Sequence, residues 1–396
     1  MDALARLLNL SATEKAGRGL SHTPVEIAQQ PATWESTFAL FQQRQSEIRE
    51  FLSTAGILQS QHAARPSVIL IGAGTSDYVG QSLTYLLRRM WQCDITAIPS
   101  TDLLTHGEEL LLPQRPYLWI SFSRSGDSPE SVAVLERALE MRPDIRHLIV
   151  CCNAKGRMLT ESHGRSQMLG VCLDDAVNDR GLAMTSSFTN MVIFGQCLAH
   201  IFNIGPYKGI LDQLIRAAQS FLPKAAEQAS ELAERDFTKA CFIGSGTLRA
   251  VARESALKLL ELTAGKTQTM SESALGLRHG PMAALDRETL LICFLSGNER
   301  VQKFEMDLLE EIGRKRLVGS RIIVAADSES GRTGLAEHWV SPNEFLTVTD
   351  DHRPPVDVIF GQSLGLFSSL HWKLCPDSPS PSGAISRVVQ NVKIHA

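Results

Sequence analysis

The chain has 396 residues, of which 43% are hydrophobic and 21% charged, with 28 Gly and 17 Pro. At about 150 residues per domain this length predicts two or three domains, and the composition excludes a mostly disordered, collagenous or long coiled-coil chain. Its 39 Lys and Arg stand against 43 Asp and Glu, a net charge of -4, so no general electrostatic grip on nucleic acid is expected; a local anion site stays open.

The N-terminal MDALARLLNLSATEKAG has no signal-peptide core. The most apolar later stretch, Met191 to Ile204, is interrupted by Gln196, His200 and Asn203 and is too short to span a bilayer. A soluble, cytoplasmic protein with no membrane partner is expected. The eight Cys form no CxxC pair, and several sit in apolar runs such as LIVCCN, as small buried hydrophobes of a reducing compartment would.

Residues 31–55 predict an amphipathic helical region within an N-terminal extension, 1–55. Next come VILIG and LWISF, continuous apolar runs that read as parallel strands buried on both faces. Residues 76–91 and 129–142 follow as covering helices. The same rhythm then recurs. SVILIGAGTS (67–76) matches KACFIGSGTL (239–248) at an offset of 172, and YLWISFSRSGDS (117–128) matches LLICFLSGNE (290–299). RHLIVCCN (146–153) and SRIIVAAD (320–327) make a third pair in the same order, which predicts a duplicated α/β three-layer unit. The second copy has its own predicted helices at 248–265 and 300–315. The expected boundaries are 56–208 and 237–374 for the two units, a helical connection at 209–236, and a tail at 375–396. In the tail, CPDSPSPSGA is too punctuated for a helix, and ISRVVQNVKI is apolar enough to dock.

IGAGTSDYVG permits a tight turn before a helix, yet it lacks the third glycine and the downstream acidic residue of a dinucleotide fingerprint. SFSRSGDSPES is richer in chemistry. Ser123, Ser125 and Ser128 can converge on a small anion beside Gly126, with Pro129 opening the helix; a capped helix after a Ser-rich turn is the plain alternative. Arg124 could assist or face solvent. The second copy keeps the turn glycine in LSGNER and loses most hydroxyls, so the first copy is the one equipped for an anion.

In RAVARESALKLLELTAGK, Glu254, Lys258 and Glu261 share one helical face, either as a solvated ion-paired surface or as an enclosed proton carrier. His279 lies in the loop-like LRHGP, and Glu272 nearby could orient it or bind sugar hydroxyls. The other histidines make no HxxxH or HExxH set, so no metal site is expected.

GAGTS (72–76), SFSRSGDS (121–128), ARESALKLLELTAGK (252–266) and LRHGP (277–281), taken in order, resemble the sugar isomerase (SIS) domain superfamily. The whole string, from about residue 24 to 395, is similar to its AgaS family, with further matches in TDLLT (101–105), DRGLAMTSSFTNM (179–191) and SGAISRVVQ (382–390). The resemblance implies two tandem SIS domains, each a three-layer αβα sandwich around a mainly five-stranded parallel sheet, in a homodimer with a shared active site. It implies a deaminating isomerase of amino-sugar catabolism, converting D-galactosamine 6-phosphate and water to D-tagatose 6-phosphate and ammonia without a cofactor. By the same likeness Ser76, Ser123, Ser125 and Ser128, with Thr75 beside them, hold the phosphate of the hexosamine substrate. Glu261 matches the general base in the isomerase domain of glucosamine-6-phosphate synthase. His279 matches its ring-opening histidine, which comes from the neighbouring subunit, and Lys258 and Glu254 match the same helix. Glu254, Glu272, Thr185, Ser186 and Arg387 are candidate sugar-binding residues.

Two features depart from the synthase. The loop between Glu261 and His279 is two residues longer, and the C-terminal catalytic lysine has no clean match, leaving Arg387 and Lys393 as alternatives. The glutamine amidotransferase domain has no counterpart in this sequence, which favours releasing ammonia over delivering it. A plain tagatose-6-phosphate ketose/aldose isomerase, a glucosamine-6-phosphate deaminase and a fructosamine-6-phosphate deglycase would use the same residues. A non-catalytic sugar-phosphate-binding regulator is the alternative of another class, although no basic helix-turn-helix precedes residue 67.

Overall fold

The computed structural model describes residues 1–57, 65–328, 334–343, 346–389 and 392–395. Its apolar runs form parallel strands, as burial on both faces requires. The strands β1 (Ser67–Gly72), β2 (Ile95–Pro99), β3 (Tyr117–Ser123), β4 (Arg146–Cys151) and β5 (Met168–Cys172) make one all-parallel sheet in the order β2-β1-β3-β4-β5. Every residue of β1 and β3 is buried. A second parallel sheet holds β6 (Lys239–Gly244), β7 (Gln268–Ser273), β8 (Thr289–Phe294), β9 (Ser320–Val324) and β10 (His338–Val340), in the order β10-β9-β8-β6-β7. Taken from its other edge, this order repeats the first, with β6 in the place of β1 and β8 in the place of β3. The duplication is therefore one of topology as well as of sequence.

The chain gathers into two compact units that do not follow its linear order. The first holds Ala32–Asp179, Ser186–Lys208 and Ile385–Ala396; the second holds Met1–Pro31, Arg180–Thr185 and Gly209–Ala384. The helical region before β1 is consequently shared out. Helices Ala3–Leu8, Ala12–Arg18 and Thr23–Ala28 belong with the second sheet, and Gln45–Thr54 with the first.

Covering helices occur at Thr75–Trp91, Pro129–Met141, Leu248–Leu262 and Glu299–Lys315, within three residues of the predicted ends, and Pro129 takes the first helical position. In the first unit Ile69, Ile71, Tyr117 and Trp119 pack against Leu103, Val134 and Ala138. In the second, Cys241, Ile243, Leu291 and Cys293 meet Leu308, Leu309 and Ile312. All eight cysteines are free; Cys93 and Cys172 are half-buried, and Cys375 is exposed, against the expectation of burial. The apolar end of the tail does not dock as predicted either, since Ile385 and Val389 face outward and the tail is held instead by a polar residue, Arg387. No helix among the described residues is long and apolar enough to cross a membrane.

Helix Leu248–Leu262 lies against helix Pro354–His371 at two glycines one turn apart. A Cβ at Gly361 would stand 2.3 Å from the Ser255 Cβ, and one at Gly365 would stand 2.7 Å from Leu262 Cδ1 and 3.0 Å from the Lys258 carbonyl oxygen. The second helix thus sets the depth of the first at Lys258. Gly361→Ala should cost about 1–3 kcal/mol in urea unfolding, the usual penalty of overpacking. Gly107→Ala, where nothing lies within 4 Å of the added methyl, should stay within about 0.5 kcal/mol. Equal stabilities for the two variants would contradict this close approach.

Candidate active site

In the first unit the strand order reverses between β1 and β3, so the loops leaving their carboxyl ends diverge and open a crevice there. The loop after β1 needs glycine twice. A Cβ at Gly72 would fall 2.2 Å from the Ser76 carbonyl carbon, and Gly74 has φ +57. That tight turn puts Thr75 and Ser76 into the first turn of helix Thr75–Trp91, whose positive dipole end favours an anion. Both side chains are largely buried. After β3, Ser123 Oγ accepts from the Gly126 N–H at 2.9 Å and Ser125 Oγ from the Asp127 N–H at 3.2 Å. Ser128 precedes Pro129, with its Oγ 3.2 Å from Ser131 Oγ, which donates onward to Ser100 Oγ at 3.0 Å. The five predicted hydroxyls thus stand at the carboxyl ends of two adjacent parallel strands.

Arg124 does not face solvent. It is buried and donates to the backbone oxygen of Arg387. Arg387 in turn donates through Nε to the Asp179 oxygen at 2.7 Å and through Nη2 to Asn178 Oδ1 at 2.5 Å. Lys393 is exposed. Thr185 and Ser186 are fully buried, and the Ser186 N–H is held by Asp179 Oδ1 at 3.1 Å. Asp179 also takes the Ser187 N–H at 2.9 Å, which anchors the start of helix Ser186–Ala199. Sequence spacing gave no signal for the Arg124–Arg387 contact, whose members are 263 residues apart.

In the second unit the face carrying Glu254, Lys258 and Glu261 is no solvated surface. Glu254 and Lys258 are fully buried, with the Lys258 Nζ 3.5 Å from Glu254 Oε1 and in a shorter ion pair with Glu261 Oε2. Of the three side chains only Glu261, 24% exposed, reaches the surface. This arrangement holds an ammonium in place behind one accessible carboxylate. Such a carboxylate can take a proton from carbon, with the ammonium beside it to balance the charge that develops.

His279 is exposed and follows the single turn Gly276–Arg278, which an ion pair from Arg278 Nε to Glu311 Oε2 at 2.8 Å ties down. No hydrogen bond or ion pair joins His279 to Glu261 or Glu272 among the described residues. Glu272 accepts instead from Arg249 Nη2 and from the Ser273 N–H, both at 2.8 Å, so it does not orient His279. Arg249 was invisible as a partner because it acts from another element, the helix that follows β6.

No protein-family model matches the chain. It is 37% identical over 379 residues to an AgaS protein of Streptomyces coelicolor, the match covering 95% of each chain. The D-galactosamine-6-phosphate deaminase AgaS of Escherichia coli O157:H7 is 35% identical over 379 residues, 94% of this chain and 95% of its own. The chain belongs to the AgaS family. The crystal structure of tagatose-6-phosphate ketose/aldose isomerase from Escherichia coli is similar to this chain at a TM-score of 0.83 and 31% identity, covering 94% of this chain and 96% of that one, and the two five-stranded parallel sheets of this chain are tandem SIS domains.

Removing the buried ammonium should be costly. Lys258→Met leaves two carboxylates beside an apolar side chain and should lower stability by about 3–5 kcal/mol, with part of the loss recovered on adding Glu254→Gln. Urea unfolding measures both. A loss under about 1 kcal/mol for the single variant would mean that Lys258 is not a buried cation.

Proposed function

We propose that the protein is a cytoplasmic, homodimeric deaminase/isomerase that converts D-galactosamine 6-phosphate and water to D-tagatose 6-phosphate and ammonia. The observation that carries this reading is the accessible Glu261 carboxylate paired with the buried Lys258, in a chain 35% identical to a protein named D-galactosamine-6-phosphate deaminase. On this reading residues 56–208 and 237–374 are the two SIS domains. The hydroxyls of Ser76, Ser123, Ser125 and Ser128, with Thr75, hold the phosphate. His279 moves a proton from the C1 hydroxyl to the ring oxygen and opens the sugar. Glu261 takes the C2 proton of the open aldehyde and returns it at C1, while an N–H proton passes to the C1 oxygen; Lys258 balances charge during the transfer. Water then adds to the resulting C2 imine, and ammonia leaves. His279 serves the site of the neighbouring subunit, a role supported by its exposure and by its match to the synthase histidine.

A second reading, tagatose-6-phosphate ketose/aldose isomerase, is favoured by the name of the solved structure at 31% identity. Incubation with galactosamine 6-phosphate, glucosamine 6-phosphate and tagatose 6-phosphate separates the readings. Ammonia release with ketose formation from the galacto amine is expected. Aldose formation from tagatose 6-phosphate with no ammonia from either amine would install the second reading.

Glu261→Gln should lower the deaminase rate by about 10²–10⁴, the value of a positioned general base. When inactive Glu261→Gln and His279→Ala proteins are refolded together, random pairing makes half of the dimers mixed. Each mixed dimer then has one site with both defects and one with neither, so about one quarter of all sites should recover. Complete subunit exchange, confirmed by mass, with no returning ammonia release would place both residues in sites of one chain.

A further inference from the structure

The duplicated sheet gives the second unit a switch point of its own, between β6 and β8. Its turns keep the anion-binding geometry of the first. Gly244 again admits no side chain, with a Cβ falling 2.4 Å from the Leu248 oxygen, and Gly246 has φ +56 where Gly74 has φ +57. Ser296, the counterpart of Ser125, accepts from the Asn298 N–H at 3.1 Å, as Ser125 does from Asp127 at 3.2 Å. Here, however, the outward donors meet carboxylates of the chain itself. Ser296 Oγ donates to Asp350 Oδ2 at 2.5 Å, the Gly297 N–H to Asp350 Oδ1 at 2.9 Å, and Arg353 Nη1 to the same oxygen at 2.8 Å. Around this centre Thr247 Oγ1 donates to Asp351 Oδ1 at 2.8 Å, and the buried Glu305 accepts the Ser296 N–H at 2.8 Å and shares a hydrogen bond with Ser245.

A backbone N–H, a hydroxyl and Nη1 of a fully buried guanidinium, whose Nη2 pairs with Asp357 and whose Nη1 also reaches the Leu295 oxygen, converge on one group as a phosphate-binding donor set does. We propose that Asp350 is a built-in stand-in for a bound anion, which closes the second unit's switch point to phosphate, so that of the two switch points the first unit's is the one that takes a sugar phosphate. The 171-residue offset pairs Asp350 with Asp179, and the carboxylates bond differently: Asp179 anchors the start of helix Ser186–Ala199, whereas Asp350 accepts from Ser296 and Gly297 of its own unit's turn. The inference does not depend on which sugar phosphate is the substrate.

The test is chemical replacement of the missing carboxylate. In a Ser125→Ala, Ser128→Ala background, which quiets the first unit's turn, Asp350→Gly should lower Tm. Formate or inorganic phosphate, at ionic strength matched with chloride, should then raise Tm by about 2–4 °C more than in the same background with Asp350 intact, a shift that 1 kcal/mol of binding gives in a domain of this size. Equal anion responses with and without Asp350 would overturn the proposal. Should the glycine variant not fold, phosphate titration of the protein with Asp350 intact decides. Saturation at no more than one phosphate per chain, lost with Ser125→Ala and Ser128→Ala, is expected. A second phosphate that survives that double substitution would show the second switch point to be open. If neither protein bound phosphate at the first unit's turn, that would count against the proposed substrate and leave the Asp350 comparison standing.

Discussion

Hydrogen-bond donors gathered where a parallel sheet reverses its strand order have to be satisfied, because leaving one buried and unpaired costs about 1–3 kcal/mol. The chain meets this constraint in two ways. In the first unit the turn is built of hydroxyls, which donate and accept by rotation, so Ser123, Ser128, Ser131 and Ser100 bond to one another or to their own backbone. A turn lined with lysine would instead hold a standing charge. In the second unit the carboxylates of Asp350, Asp351 and Glu305 supply fixed acceptors, and burial pushes the Glu305 carboxyl up to about 7. One fold thus carries a reversible and a permanent solution to the same requirement.

The buried lysine follows a related logic. Burying an ammonium is expensive, and its attraction to two glutamates only roughly offsets that cost, so the group Glu254, Lys258 and Glu261 is poorly explained as a source of stability. What it does is restrict Glu261. A carboxylate on the last turn of a helix would ordinarily sample several rotamers, but the ion pair to Lys258 holds this one, and Gly361 and Gly365 hold the helix itself.

The central strands β1, β3, β6 and β8 were legible because burial on both faces writes a continuous apolar run. The edge strands were not. QTMSES of β7 is polar and only half-buried, and HWV of β10 is three residues long, so neither carries a period. Spacing correctly placed Glu254, Lys258 and Glu261 on one face but left open whether that face met water, because burial depends on elements far along the chain such as the helix Pro354–His371, which packs on the same helix at Ser255, Leu262 and the Lys258 carbonyl. Arg124 was ambiguous for the same reason: its partner is the tail. The repeat indicated that the second turn had lost hydroxyls, while the carboxylates that compensate come from the single turn Asp350–His352 and the helix Glu299–Lys315, which no spacing links to it.

The two activities named among the relatives call for less difference in the protein than their names suggest. Both begin with removal of a proton from C2 of an open-chain aldose phosphate and its delivery to C1, and this step makes the largest demand on a positioned carboxylate. If C2 bears a hydroxyl, the transfer leaves a ketone and the reaction is an isomerisation. If C2 bears an amine, the same transfer leaves an imine, which water attacks at the carbon already made electrophilic. Loss of ammonia then follows from the substrate's nitrogen and requires no catalytic group beyond those that serve the isomerisation. Discrimination must accordingly act through recognition of the amine and of the C4 hydroxyl rather than through the base. A site that hydrogen-bonds such a group can reject an analogue lacking it far more strongly than an apolar pocket distinguishes shapes. The Glu261–Lys258 pair is compatible with every member of that series, so what separates them has to lie in polar groups aimed at other parts of the substrate than C1 and C2.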